Sequence, residues 1–203
     1  RHDAFVEPVI TRFDRAAIDS LAPSRAKGSR SLFVTGLPRS GTTLAEKLLA
    51  ARLAPDMFPL STQVRFACVQ ALEGMYRLRG EAFPPEMGDL LKEGQNGGEH
   101  PGSLAQAKAR IAETVSSVQS LATDMTEPDA GAPMAHELPN GMVFDLGTEQ
   151  YARDWALGQF YFHIMTAYAI LRQQGVALGK ADYVAHMMGH LRPETIPGAQ
   201  KEE

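Results

Sequence analysis

Cysteine is nearly absent from this sequence of 203 residues, and long apolar runs are missing altogether. The single cysteine, Cys68, excludes an intramolecular disulfide framework and a structural zinc site built on several thiolates. No apolar run approaches the roughly 20 residues that a membrane-spanning helix needs. An excess of positive charge is also lacking. The net charge is −4, so neither a nucleic-acid backbone nor an anionic membrane is the expected partner.

The composition that remains is typical of a folded globular chain. Hydrophobic residues make up 44% and charged residues 22%, and a chain of this length can bury a core without disulfides. The first residues, Arg1-His2-Asp3, lack the apolar stretch of a signal peptide, so the expected location is the cytoplasm. A small molecule and a second copy of the chain stay open as partners.

Apolar residues recur at helical spacing through most of the sequence, which predicts a mainly α chain. Ser61 and Ser103 are the predicted N-caps of two of the helices, and Gly175 is expected to end the most aromatic one. The predicted helices cover residues 4–21, 42–53, 61–78, 87–92, 103–121, 148–174 and 181–191.

Two places favour strands instead. Residues 31–35 form a short β-prone run that ends at Gly36. Asn140-Gly141 is a pair that favours a tight hairpin turn, and Phe144 and Leu146 alternate with polar or small residues after it. A hairpin is therefore predicted just before the last long helix.

The strongest local chemical signal is Gly36-Leu37-Pro38-Arg39-Ser40-Gly41-Thr42-Thr43, where a predicted strand leads through a glycine-bounded loop into a helix. Backbone N–H groups and the helix dipole at such a place favour an anion such as phosphate. The two glycines have the spacing of a Walker A loop, but Thr42 replaces the lysine that should follow. A nucleoside triphosphatase is therefore disfavoured.

This loop resembles the phosphosulfate-binding loop of bacterial sulfotransferases, which reads Pro-Arg-Ser-Gly-Thr-Thr in many members. The resemblance covers about the first 50 residues and implies 3′-phosphoadenylyl sulfate as the ligand. Arg39 would then neutralise the phosphosulfate, and Ser40, Gly41, Thr42 and Thr43 would donate hydrogen bonds to it. The parallel sheet, the second donor element and the catalytic base of that family have no counterpart in the rest of the sequence.

A second resemblance begins where the first ends. The points of similarity are Arg52 to Leu60, Gln63-Val64, Phe160 to His163, Thr166 to Arg172, Gly175-Val176 and Leu178-Gly179. In these segments the chain resembles an uncharacterised family of DinB-like proteins, which are domains of unknown function related to the DinB helical bundles. The resemblance implies a four-helix bundle with a hairpin inserted before its last long helix.

Many DinB-like bundles bind a divalent metal through three histidines, but that pattern is incomplete here. The residues four positions from His163 are Gln159 and Ala167, so the paired ligand is missing. His186 and His190 have the required i, i+4 spacing, but no third ligand accompanies them. Neither a metal site nor a cofactor is therefore expected for the bundle.

Three residues are candidates to line a pocket between helices: His163, Tyr168 and Arg172. Cys68 lies on an apolar stripe without a base beside it and is expected to be buried and inert. Arg52 and Asp56 are expected to form a structural turn. The aromatic residues of the last long helix are expected to be core: Trp155, Phe160, Phe162 and Tyr168.

The sequence thus predicts a mainly α chain in three parts. A truncated strand–loop–helix fragment covers residues 1–50, a DinB-like four-helix bundle with a small β-hairpin covers 51–187, and a flexible tail covers 188–203. The bundle lacks its own first helix, which residues 4–21 or 42–53 would supply.

The first functional hypothesis is a binding or stress-associated bundle fused to a non-functional sulfotransferase fragment. A sulfotransferase and a metal-dependent DinB-like transferase are the alternatives, so the sequence leaves open whether the chain is an enzyme.

Overall fold

The computed structural model describes residues 40–192 and Thr195, and its helices confirm the mainly α prediction. The helix predicted over 4–21, the strand predicted over 31–35 and Arg39 lie outside the described residues. The described elements are α1 (Ser40–Ala50), α2 (Leu60–Arg79), α3 (Pro85–Gln95), α4 (Leu104–Thr123), β1 (Pro133–Glu137), β2 (Val143–Gly147), α5 (Thr148–Gln150), a π-helical turn (Tyr151–Ala156), α6 (Leu157–Gln173), α7 (Lys180–Tyr183) and a 3₁₀ segment (Ala185–His190).

Helix α2 is the centre of the bundle, since α3, α4 and α6 all pack against it. Its residues Cys68, Ala71 and Met75 follow the helical repeat, and all three are inaccessible to solvent. The other elements each bring an apolar stripe to this core: Met87 and Leu90 from α3, Ile111 and Val118 from α4, and Tyr151, Ala156 and Phe160 from the last long helix.

Helix α1 packs on the end of the bundle and builds a second, smaller core there. Leu49 is 1% exposed and lies in one cluster with Leu60, Ile170, Leu171 and Leu178. Of the two segments offered for the missing first helix, the one predicted over 42–53 therefore packs on the bundle, where it spans Ser40–Ala50.

One predicted N-cap is confirmed and the other is wrong. Ser103 Oγ accepts from the backbone N–H of Gln106, whose side chain accepts in turn from the Ser103 N–H, as in a capping box. The N-cap of α2 is Pro59 rather than Ser61. Ser61 is buried inside the first turn of the helix, where its hydroxyl donates to the carbonyl of Gly97 at 2.6 Å.

The predicted hairpin is confirmed as the antiparallel pair β1–β2, with Glu137 opposite Val143 and His136 opposite Phe144. The Gly141 N–H donates to the Leu138 carbonyl at 2.9 Å and closes the turn. Gly141 has φ 84°, a left-handed conformation that glycine adopts without a steric penalty.

The last long helix begins at Thr148 as predicted, although a π-helical turn over Tyr151–Ala156 interrupts it. Gly175, at φ 84°, follows its end and confirms the predicted stop. The single helix predicted over 181–191 is wrong, because α7 ends at Tyr183 and a 3₁₀ segment follows. Most of the tail predicted over 188–203 lies outside the described residues. Of the helices that the structure describes, none is long and apolar enough to cross a membrane.

Candidate functional site

Polar side chains are buried where the N-terminal half of α2 faces α6. Such groups need hydrogen-bond partners, because an unpaired buried polar atom is costly. Their hydrogen bonds make this a well-connected polar region of the described structure. The buried polar residues here are Ser61, Thr62, Gln63 and Arg65 on α2, and His163 and Thr166 on α6.

His163 of α6 is held by Gln63 of α2. Its Nδ1 lies 2.8 Å from Gln63 Oε1, and Gln63 Nε2 donates to the carbonyl of Phe58 at 3.1 Å. Because a carbonyl can only accept, the Phe58 contact fixes which end of the Gln63 amide faces the imidazole. The oxygen faces it, so Nδ1 of His163 carries the proton and donates.

This arrangement keeps His163 neutral and determines that its second nitrogen, Nε2, is unprotonated. Burial lowers the pKa of His163 from 6.5 to about 4, so the ring is uncharged at neutral pH. A neutral imidazole protonated at Nδ1 has a lone pair on Nε2. His163 therefore offers one hydrogen-bond acceptor in a fixed orientation.

Phenylalanine rings surround this imidazole. The Phe66 and Phe162 rings meet it edge to face, with centroids at 5.5 and 5.4 Å, and the Phe58 ring contacts Phe66 at 5.3 Å. Phe66 is half-buried, whereas Phe58 and Phe162 are 49% and 54% exposed. Phe162 was expected in the core, yet it lies on the surface. The nearly buried imidazole of His163 thus lies beside an exposed aromatic rim formed by Phe58 and Phe162.

The structure does not bring the three predicted pocket residues together. Successive residues of a helix turn by about 100°, so Tyr168 projects about 140° and Arg172 about 180° away from His163. Tyr168 packs edge to face on Tyr183 at 6.1 Å, and Arg172 is exposed. Of the three, His163 alone belongs to the polar region between α2 and α6.

The last turn of α3 and the glycine-rich segment after it brace this region. Ser61 Oγ and Thr62 Oγ1 donate to the carbonyls of Gly97 and Gly94 at 2.6 and 2.8 Å. A Cβ atom on Gly94 would overlap the ring of Phe66. Glycine is required there because the backbone touches the aromatic wall of the His163 site.

A network of charged groups fixes α2, α3 and α4 beneath the same end. Arg65 donates to the Ser61 carbonyl at 3.1 Å and to Glu93 at 3.3 Å. Arg110 also donates to Glu93. Together, Arg110 and Arg65 hold the pKa of the Glu93 carboxyl below its usual range. Since every charge here faces an opposite one, this network supports the site rather than carrying chemistry.

Gln63 is the residue whose role sequence reasoning missed. It was noted only as part of the DinB-like resemblance, without a function. The available signal is a glutamine in the first turn of the helix, directly between Thr62 and Val64. Its partner, however, is His163, one hundred residues later in the chain.

The five residues proposed to bind phosphosulfate lie at the edge of the described structure. Arg39 is outside it, and the segment from Ser40 through Gly41, Thr42 and Thr43 forms the first turn of α1. The predicted loop therefore leads directly into a helix N-terminus. That first turn contains no acidic residue.

No group of three His, Cys, Asp or Glu residues close enough to hold a metal ion occurs among the residues that the structure describes. His186 and His190 lie in the 3₁₀ segment. A 3₁₀ helix has three residues per turn, so side chains four positions apart do not share a face there.

Of two structural expectations, one is confirmed and the other is not. Cys68 is fully buried, and burial raises the pKa of its thiol to about 12, so it is inert as a nucleophile. The expected pairing of Arg52 with Asp56 is wrong: Arg52 stabilises the turn after α1 by donating to the carbonyl of Met57 instead.

A crystal structure resembles this fold along most of its length. It is that of a DinB family member protein from Shewanella denitrificans, which is 28% identical, with a TM-score of 0.59 over 90% of each chain. No curated protein matches the sequence. The family model described as "Domain of unknown function (DUF1993)" matches residues 38–184. With most of its length matched by that model, the chain belongs to the DUF1993 family and has the fold of a DinB-like helical bundle.

Proposed function

We propose that this DinB-like bundle is a ligand-binding module in which His163 receives a hydrogen bond from a small molecule. The observation that carries the proposal is the chain of contacts from His163 through Gln63 to the Phe58 carbonyl. It fixes the tautomer of a neutral imidazole and leaves the Nε2 lone pair as an acceptor.

The surroundings of His163 match the composition of small-molecule sites, which are mostly apolar with a few well-placed polar groups. Phe58 and Phe162 are largely exposed, and Met165, one turn beyond Phe162, is 42% exposed. A ligand with an apolar body would cover this rim and gain the hydrophobic free energy of burying it.

The same geometry defines the ligand's chemistry. A neutral acceptor requires a hydrogen-bond donor, such as a hydroxyl or an amide N–H, and gives no ion-pair attraction to a carboxylate. The apolar rim favours a donor without charge. We therefore expect molecules that combine one donor with an aromatic or aliphatic body.

Phenol and anisole are a matched pair for the test, since they differ in whether the oxygen can donate. In ¹⁵N and ¹³C spectra at millimolar probe, phenol should shift the His163 ring and the Phe162 ring, and anisole should do so far less. His163→Gln should abolish the difference, whereas the same change at the exposed His100 should leave it intact. Equal shifts with both probes, or none with either, would refute the proposal.

The N-terminus of α1 is a second candidate binding site, in this case for an anion. Its N-terminus coincides with the phosphosulfate-type motif, and no acidic residue of the first turn opposes an anion. Calorimetry with adenosine 3′,5′-bisphosphate tests it, using Arg39→Ala as the control that should weaken binding. Absence of heat at millimolar nucleotide would leave a non-functional sulfotransferase-like fragment over residues 1–50, fused to the bundle.

A further inference from the structure

The β-hairpin is attached to the bundle through one buried side chain and a few partly covered ones, among them Phe144, whose ring packs on Trp155 at 5.2 Å. Of residues 133–147, all of which the structure describes, only His136 is buried, at 3% exposure. Met134 and Leu146 are partly buried against the same core. Because so little of the hairpin is covered, the state of His136 has a large influence on whether the hairpin stays docked.

His136 lies in an aromatic and charged environment on the bundle side. Its ring packs at 5.3 Å on Tyr151 and at 4.7 Å on Trp155. From α2, Glu73 Oε1 lies 4.0 Å from His136 Nδ1, and Arg77 donates to that same carboxylate at 2.7 Å.

The Nδ1 atom of His136 is fully buried and has no hydrogen-bond partner in the described structure. The nearest carboxylate is beyond hydrogen-bond distance and is already neutralised by Arg77. A proton added to this ring would therefore put a second cation beside one shared carboxylate, away from water.

We propose that the hairpin is an acid-released strap: protonation of His136 detaches residues 133–147 from the bundle and uncovers Tyr151 and Trp155. The charged imidazole is hydrated once the hairpin moves out, whereas in the docked position it is buried without a donor contact.

Hydrogen bonds at the base of the hairpin hold it to α5. Thr148 donates to the Ala132 carbonyl through both its backbone N–H and its hydroxyl, at 3.0 Å each, and the Glu149 N–H donates to Ala130. These bonds do not involve His136, so the hairpin remains joined to α5 when its strands move away. The bundle core below it includes the fully buried Met75 and Phe160, to which the hairpin adds only partly buried residues.

Trp155 is the only tryptophan in the sequence, so its fluorescence reports on this contact directly. On acidification from pH 7.5 to 4.5, its emission should move to longer wavelength with a midpoint below 6.5, while the helical circular dichroism signal is retained. Hairpin amides should exchange with solvent faster over the same range.

His136→Phe keeps a ring against Trp155 but cannot titrate, so it should abolish the transition, and His163→Gln should leave it unchanged. Glu73→Gln removes the charge that stabilises a protonated His136 in the docked position and should raise the midpoint pH of release, whereas Arg77→Met frees that carboxylate for the ring and should lower it. These two variants test the proposal even if His136→Phe fails to fold. A transition that survives in His136→Phe, one that coincides with loss of helix, or no transition at all would overturn it.

Discussion

The two histidines that are buried in the described part of the chain differ in what surrounds their Nδ1 atoms. His163, between two long helices, donates to a glutamine that a backbone carbonyl holds in place. His136, on the hairpin, has a buried Nδ1 atom with no partner. Burial lowers the pKa of both rings, and nearby Arg77 adds to the effect at His136. The same residue type thus fixes the interface between two long helices in one region and leaves a surface element weakly attached in the other.

The largest expected difference between the two regions is in packing. Phe160→Ala in the bundle core should lower the free energy of unfolding by about 3–5 kcal/mol, since it leaves a cavity around a fully buried ring. Phe144→Ala on the hairpin should cost about 1 kcal/mol or less, because that ring is partly exposed. Urea denaturation measures both. Equal losses would contradict the division into a firm bundle and a lightly attached hairpin.

The next largest effect is a pH dependence due to His163. Its folded pKa of about 4 lies below the ordinary 6.5, so the unfolded chain binds the proton first. The resulting stability is fully present above pH 6.5 and is lost as pH falls toward 4, which amounts to about 2–3 kcal/mol.

Denaturation of the wild type and His163→Gln at pH 7 and 4.5 isolates this contribution. The variant should lose less stability on acidification than the wild type does. Identical losses would show that His163 does not titrate with a depressed pKa.

Removing the Gln63 oxygen that accepts from His163 should lower the free energy of unfolding by a smaller amount. Gln63→Leu leaves the buried Nδ1–H without a partner and should cost about 1–3 kcal/mol. Gln119→Leu makes the same chemical change on the exposed face of α4 and should be nearly neutral. Thermal unfolding of the two variants compares them, and a neutral Gln63→Leu would mean that the contact does not hold the helices together.

The smallest expected effect is confined to the hairpin turn. Gly141→Ala places a Cβ on a residue with φ 84° and should cost about 1–2 kcal/mol locally. Gly158→Ala, on an exposed helical position with open space around it, should stabilise the bundle by up to about 1 kcal/mol. Hydrogen exchange distinguishes the two, because faster exchange should be limited to hairpin amides in Gly141→Ala. A spread of that change into α2 would contradict a loosely coupled hairpin.

Local signals made part of this fold predictable from sequence. The stripe of Cys68, Ala71 and Met75 predicts the central helix, and Ser103 with Gln106 three residues later predicts a helix start. The Asn140-Gly141 pair predicts the hairpin because its turn needs a left-handed residue, which Gly141 supplies while Asn140 keeps a negative φ. Each of these features depends on residues that are close together in the chain.

The site depends on contacts between distant residues, and these were not predictable. Ser61 has the sequence position of an N-cap, but its hydroxyl donates to the carbonyl of Gly97, more than thirty residues later. The partner of His163 is one hundred residues away, and helix geometry separates it from Tyr168 and Arg172. The π-helical turn at Tyr151–Ala156 has no sequence signal that we can identify.

Long-range ¹H–¹⁵N correlation of the imidazole rings is the most direct test of the arrangement around His163. We expect the His163 ring to be the Nδ1–H tautomer at pH 7, with an unprotonated Nε2 and a titration midpoint near pH 4. In Gln63→Leu the Nδ1–H signal should weaken or disappear. An Nε2–H tautomer, or a midpoint near the ordinary 6.5, would contradict the Gln63 contact on which the proposed site depends.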